Sequence, residues 1–215
     1  AALKLAHNLP DNAVQLVPML ATGDKIQDRP LADIGGKALW TKELERALID
    51  DQIDIAVHSM KDVETWRPDI FVISALLPRA DVHDRLIGAA SLGDLKQGAR
   101  VGTSSPRRAA QVQRARPDLQ IVPLRGNVAT RLAHIDAGEA DATLLAAAGL
   151  DRLGMADMGA ELSLDAFLPA ASQGAVGIDR LASRADLILV LEAINDADTF
   201  AAVDAERAFL AAVGG

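Results

Sequence analysis

Asp54-Ile-Ala-Val-His-Ser-Met-Lys-Asp62 is the stretch that decides the fold. Its apolar run at residues 55–57 predicts a buried strand, and Ser59, Lys61 and Asp62 follow at once. In open α/β sheets, ligands bind just outside the carboxyl ends of strands, so we expect a functional site here. Lys61 favours the ionised form of Asp62, and a fixed carboxylate can stabilise a developing positive charge. A surface ion pair that closes a strand is the alternative for this dipeptide.

The composition favours helices packed on a sheet. The 215 residues are 50% hydrophobic but only 3% aromatic, which suits an α/β protein better than an all-β sandwich. The net charge of −8 argues against a nucleic-acid or membrane-surface binder, because neither anionic surface attracts a polyanion. The absence of cysteine excludes thiolate metal sites in these residues, and no apolar run reaches the ~20 residues of a membrane helix. A cytoplasmic protein is the expectation.

A weak internal repeat predicts two similar lobes. Val14-Gln-Leu-Val-Pro18 resembles Leu119-Gln-Ile-Val-Pro123, and a helix and then a strand introduced by Asp follow both. We predict an α/β fold in which each lobe is a mixed sheet flanked by helices. The predicted lobes comprise residues 1–78 plus 175–215 and residues 79–174, and a cleft between such lobes commonly holds a ligand.

The pattern of apolar, Gly and Pro residues predicts the individual elements. Helices are expected at 1–9, 37–51, 106–116, 128–137 and over most of 179–213. Strands are expected at 14–20, 55–57, 70–76, 84–88, 100–101, 119–124, 142–147 and 176–178. Ser105 is placed to cap the helix that Pro106 opens.

Four arginines at strand-to-helix junctions form a candidate anion site. Arg107 and Arg108 lie in the first turn of a helix, the end that disfavours cations, and Arg125 and Arg131 flank the start of the next helix. Guanidinium groups pair bidentately with carboxylates and phosphates, so the set suits a multiply carboxylated or phosphorylated ligand. Free N–H groups at residues 103–105 would add to an anion site. Solvated surface arginines are the alternative.

The remaining polar residues carry weaker signals. His58 is interpreted as a core histidine or, less readily, a base. His83 and His134 have no second ligand at metal spacing, so no metal site is predicted. Lys37 follows two glycines at a helix start, where it either meets an anion or is simply exposed. The chain has no dinucleotide-binding glycine fingerprint, P-loop or Gly-x-Ser-x-Gly elbow.

Four motifs resemble the porphobilinogen deaminase family, also called the hydroxymethylbilane synthases. They occur in the family's order and span nearly the whole chain. The motifs are residues 54–62, Val101-Gly-Thr-Ser-Ser-Pro-Arg-Arg108, Leu124-Arg-Gly-Asn127 with Thr130-Arg131, and Leu168-Pro-Ala-Ala-Ser-Gln-Gly174.

The resemblance implies three α/β domains, of which the first two are similar to periplasmic binding proteins and the third is absent from this chain. It implies a transferase that condenses four porphobilinogen molecules head to tail into hydroxymethylbilane, with release of ammonia, in tetrapyrrole biosynthesis. The product is built on a covalently attached dipyrromethane cofactor. The resemblance further implies a cytoplasmic monomer with no nucleic-acid or membrane partner.

The resemblance also assigns roles to individual residues. Asp62 matches the catalytic aspartate, which stabilises positively charged pyrrole intermediates. Positions that bind the acidic side chains of the cofactor match Ser59, Lys61, Thr103, Ser104, Ser105, Arg107, Arg108 and Gln173. Substrate-binding positions match Lys37, Arg125, Asn127 and Arg131.

The chain departs from the family pattern at its ends and near Lys37. The family's first strand is missing before Ala1, and its cofactor-carrying cysteine and third domain follow the point where this chain reads Val213-Gly-Gly215. Asp33 stands where the family often has a second lysine. We therefore expect a fragment that is inactive alone. The competing hypothesis is a non-catalytic, two-lobed receptor for a small polycarboxylate, which would use the arginines but have no need of Lys61 and Asp62.

Overall fold

The chain divides into two compact units. The computed structural model describes residues 1–19 and 41–214, so Lys37 and Asp33 lie outside the described residues. One unit contains the described residues of 1–19 and 41–80 together with 171–214, and the other is Asp81–Ala170. The boundaries predicted from the sequence were 78/79 and 174/175.

Within its described residues, the first unit opens with two helices and two strands. They are α1 (Ala2–Ala6), α2 (Lys42–Ile49), β1 (Ala56–Ser59) and β2 (Phe71–Leu76), and a 3-10 turn at Met60–Asp62 directly follows β1. The strand predicted at 14–20 is not formed in described residues 14–19. Leu16 is 88% exposed, and Pro18 has no N–H to donate to a neighbouring strand, so this stretch does not pair.

The second unit is a five-stranded mixed sheet with three helices. Its elements are β3 (Asp84–Ile87), β4 (Arg100–Gly102), α3 (Pro106–Ala115), β5 (Gln120–Val122), α4 (Val128–Asp136), β6 (Ala142–Ala146), α5 (Ala147–Arg152) and β7 (Ala160–Glu161). The strand order is β5-β4-β6-β3-β7, in which β4 is parallel to β5 and β6, and β3 is antiparallel to β6 and β7. Leu86, Val101, Val112 and Leu144 fill its core.

The chain then returns to the first unit. It adds β8 (Val176–Leu181), a 3-10 turn at Ala185–Leu187, α6 (Ile188–Glu192) and α7 (Ala197–Ala212). β8 lies between β1 and β2 and is antiparallel to both. The predicted α/β class is therefore confirmed. No helix among residues 1–19 and 41–214 is long and apolar enough to cross a membrane.

Gly177 of β8 determines how the turn after β1 packs. Met60 is buried in the core with Val63, Leu76 and Val203. A Cβ atom at Gly177 would overlap Met60 Sδ and would also lie 3.1 Å from Leu76 Cδ2. A side chain at this position would force Met60 to shift, because Met60 packs directly on the backbone of the central strand.

Candidate active site

Asp62 and Lys61 lie on an anchored turn at the end of β1. The strand alternates buried Ala56 and His58 with exposed Val57 and Ser59. The Met60 amide donates to the Ala175 carbonyl at 3.1 Å, and the Val63 amide donates to the Met60 carbonyl at 3.2 Å. Met60 is buried, whereas Lys61 and Asp62 are half-buried. The end of the strand thus presents an acid and a base from a backbone that is held in place on both sides.

A buried ionic cluster supports β1 from the core side. Asp179 of β8 lies with its Oδ2 3.1 Å from His58 Nε2 and 2.5 Å from Arg67 Nη2. Arg67 Nε also donates to Glu45 Oε1 at 3.0 Å. Burial acts to raise the pKa of the Asp179 carboxyl, but its contacts with His58 and Arg67 outweigh burial and lower that pKa. His58 is therefore a core histidine paired with Asp179.

The hydroxyl groups of residues 103–105 shape the turn from β4 into α3. Ser105 Oγ accepts from the Arg108 amide at 3.4 Å and Pro106 is the first helical residue, which confirms the predicted cap. Thr103 Oγ1 accepts from the Ser105 amide at 3.1 Å, and Ser104 Oγ donates to the Leu124 carbonyl at 3.1 Å. These side chains hold the backbone of the turn.

Arg107 and Arg108 converge on Asp84, a residue that the sequence analysis missed. Arg108 Nη2 donates to Asp84 Oδ1 at 2.7 Å, and Arg107 Nη2 donates to Asp84 Oδ2 at 2.7 Å. Burial acts to raise the pKa of the Asp84 carboxyl, but the hydrogen bonds and charges of both arginines outweigh it and lower that pKa. Asp84 starts an apolar strand, so the signal that could have found it is the need of two adjacent arginines for a counter-ion.

The second pair of arginines surrounds the start of α4. Asn127 Oδ1 accepts from the Thr130 amide at 2.9 Å, so Asn127 caps the helix as predicted. Arg131 Nε donates to the Gly126 carbonyl at 2.9 Å, and Gly126 has a φ of +102°, which a residue with a side chain rarely adopts. Arg125 precedes this glycine and is half-buried. The carbonyl of Gly126 thus orients Arg131.

Gln173 belongs to the first unit rather than to the second. The residue is fully buried, and its main-chain carbonyl accepts from Arg79 Nε at 2.9 Å. The structure therefore assembles the predicted site residues in two groups. Ser59, Lys61, Asp62 and Gln173 belong to the first unit, and Thr103, Ser104, Ser105, Arg107, Arg108, Arg125, Asn127 and Arg131 belong to the second.

His83 has neighbours that its sequence spacing did not reveal. Its Nδ1 lies 2.6 Å from Asp81 Oδ1 and its Nε2 lies 3.7 Å from Glu161 Oε1, so these three residues could hold a metal ion. Glu161 comes from the distant strand β7, so the sequence spacing could not reveal it, and the absence of a metal site stays a prediction. Each ring nitrogen of His83 faces a carboxylate. A surface histidine that forms ion pairs without a metal has the same arrangement.

Comparisons with known proteins agree on one family. Residues 1–188 match the family described as porphobilinogen deaminase, dipyromethane cofactor binding domain. The chain is 61% identical over 220 residues to the porphobilinogen deaminase of Sphingopyxis alaskensis, covering 100% of this chain and 70% of that protein. It is 50% identical over 216 residues to the porphobilinogen deaminase of Nitrobacter hamburgensis, covering 99% of this chain and 68% of that one.

Similarity to solved structures is lower. An ancestral arginine-binding protein overlaps 95% of this chain and 82% of its own, at 15% identity and a TM-score of 0.47. The VFT2 domain of Bordetella pertussis BvgS overlaps 76% of this chain and 72% of its own, at 15% identity and a TM-score of 0.46.

Proposed function

The chain belongs to the porphobilinogen deaminase family, and on that premise we propose that Asp62 is the catalytic residue and that the arginines bind the acidic groups of the pyrroles. The activity is the condensation of porphobilinogen into hydroxymethylbilane, a transferase reaction of tetrapyrrole biosynthesis. The two units are proposed to be the first two domains of the enzyme.

The position of Asp62 carries this proposal. When ammonia leaves porphobilinogen, the remaining pyrrole carries a positive charge, and a nearby carboxylate lowers the energy of that cation. Asp62 is half-buried, and partial burial strengthens a carboxylate's interaction with a cation because water screens it less. The backbone hydrogen bonds around Met60 fix the turn, so little reorganisation is needed when the charge develops.

The arginines supply the matching recognition of anions. Porphobilinogen carries an acetate and a propionate side chain, and guanidinium groups bind carboxylates bidentately. Arg107, Arg125 and Arg131 are half-buried, so they retain surface with which to contact a ligand. We propose that Ser59, Lys61, Asn127 and the residues at the start of α3 complete the binding surface, and that Lys37 joins them.

The residues present fit the dipyrromethane cofactor through its acidic side chains. Arginines oriented by protein oxygen atoms are the donors that its carboxylates need, as the Asp84 and Gly126 contacts show for Arg107 and Arg131. When bound, this cofactor supplies the pyrrole to which the substrate is joined. The 215 residues contain no cysteine, so a thioether to it would not be formed by any of them.

A cytoplasmic monomer that binds no nucleic acid is the accompanying proposal, supported by the family and the net charge of −8.

Substitution of Asp62 by Asn in the full-length protein tests the proposal. We expect porphobilinogen turnover to fall by about 10²–10³-fold, since one preorganised electrostatic group commonly supplies that much. The affinity for porphobilinogen should change much less than turnover, because the carboxylate acts most strongly on the cation that forms when ammonia leaves. Asp69→Asn, an exposed neighbour on the same unit, is the control and should change neither. Near-normal turnover in Asp62→Asn would overturn the catalytic assignment.

A further inference from the structure

The Asp84 carboxylate contacts both Arg107 and Arg108, so it can affect ligand binding as well as the fold. We propose that Asp84 is a positioning residue, which holds the Arg107 guanidinium group beside that of Arg108 so that Arg107 binds an acidic group of the pyrrole ligand. This inference rests on the proposed function, because it takes the arginines to be ligand-binding residues.

The contacts fix both arginines at once. The two guanidinium groups use different oxygens of the one carboxylate, each at 2.7 Å. Arg108 Nη1 also donates to the Leu144 carbonyl at 2.9 Å, and Arg107 Nη1 donates to the Leu168 carbonyl. Each guanidinium thus has two anchoring points, and a planar group with two anchors has a defined orientation.

The charges explain why an anchor is needed. Arg107 and Arg108 are adjacent, repel each other, and lie in the first turn of α3, where the helix dipole also disfavours cations. Without a carboxylate between them, the two side chains would separate and extend into water. The helix dipole and the repulsion between the two guanidinium groups both act to separate Arg107 and Arg108. Asp84 therefore holds them together.

The net charge of Asp84, Arg107 and Arg108 distinguishes a role in ligand binding from simple stabilisation of the fold. One arginine is enough to neutralise one buried carboxylate, yet Asp84 contacts two. Among the described residues, no second carboxylate pairs with either arginine. The three side chains therefore carry one surplus positive charge, which a ligand carboxylate would neutralise.

The exposure of the side chains indicates which arginine meets the ligand. The Asp84 side chain has no exposed surface, that of Arg108 is 8% exposed, and that of Arg107 is 25% exposed. Arg107 is therefore the member that a ligand can reach, and Asp84 and Arg108 form its support. The effect of Asp84 on binding should pass mainly through Arg107.

A double-mutant cycle tests this inference in the full-length protein. Asp84→Asn, Arg107→Gln and their combination are made in the Asp62→Asn background, so that porphobilinogen is bound without being consumed. Its Kd is measured by calorimetry and the Tm of each variant by thermal unfolding. Asp84→Asn should raise the Kd about tenfold, the size expected for loss of a charged hydrogen-bonding arrangement. In the Arg107→Gln background it should add less than about twofold, because the two residues act as one unit.

Asp84→Glu keeps the charge but displaces the carboxylate, so its Kd should lie between those of the parent and Asp84→Asn. If Asp84→Asn fails to fold, the Kd of Asp84→Glu tests the positioning role instead. Asp118→Asn, which breaks the exposed pair with Arg116 in the same unit, is the control and should leave the Kd unchanged.

Two outcomes would overturn separate claims. A normal Kd in both Asp84 variants, or multiplying effects of Asp84→Asn and Arg107→Gln, would overturn the positioning role while leaving Arg107 as a ligand-binding residue. A normal Kd in Arg107→Gln would instead overturn the proposed function of that arginine.

Discussion

Two carboxylates with no exposed side-chain surface, Asp84 and Asp179, each contact two basic side chains. Asp84 pairs with the first two arginines of α3, and Asp179 lies on β8, the neighbour of β1, which leads to Asp62. Sequence analysis singled out His58, Arg107 and Arg108 but neither buried acid. The reason is that an acid inside an apolar strand carries no local signal, and its partners come from distant elements.

Because these carboxylates are paired with basic groups in the fold, the stability of the folded state depends on pH. The pKa of Asp84 is lowered in the folded state, so its stabilising contribution is fully present above the unfolded-state value of about 3.9. That contribution is lost as pH falls through the folded pKa. We expect the Tm to fall on acidification below about pH 4 and to fall less steeply in Asp84→Asn, as scanning calorimetry would measure. An identical pH dependence in both proteins would contradict the assignment.

At the scale of elements, the helices with strong local signals were predictable. The Ser105-Pro106 and Asn127 caps fixed the starts of α3 and α4, because capping depends only on neighbouring residues. Strands were less predictable because they depend on partners. Residues 14–19 have a strand-like pattern but no pairing partner, and β7 is too short to show alternation although it completes the sheet beside β3.

Gly177 links the central strand to the turn that carries Asp62. We expect Gly177→Ala to lower the free energy of unfolding by about 1–3 kcal/mol, because the added methyl overlaps buried Met60. The displaced turn should also lower kcat. Gly149→Ala is the control, since a methyl group there meets open space within α5. Denaturant unfolding and a turnover assay would measure both effects, and a stable, fully active Gly177→Ala would show that the turn tolerates displacement.

The two chain segments that connect the first unit to the second are held together by Glu206 of the first unit. Arg79 pairs with Glu206 through two hydrogen bonds of 2.6 and 2.9 Å, and the Ser172 amide donates to Glu206 at 2.5 Å. We expect Glu206→Gln to lower the free energy of unfolding by about 1–3 kcal/mol. Asp118→Asn breaks an exposed pair and should cost less than about 1 kcal/mol. Equal losses in the two variants would show that the Glu206 contacts add nothing specific.

At the scale of the whole molecule, the proposed residues are divided between the two units. Asp62 and Lys61 belong to the first and the four arginines to the second. The family and its reaction could be identified from the sequence because the motifs are long and ordered. The chain spans 70% and 68% of the length of two curated relatives.

The most direct test is the intact mass of the full-length protein, purified from cells that make porphobilinogen. We predict a mass above that of the polypeptide by one dipyrromethane, and further increases by single pyrrole units when porphobilinogen is added. A bare polypeptide mass that does not change with porphobilinogen would contradict the account and favour a receptor that only binds acidic ligands.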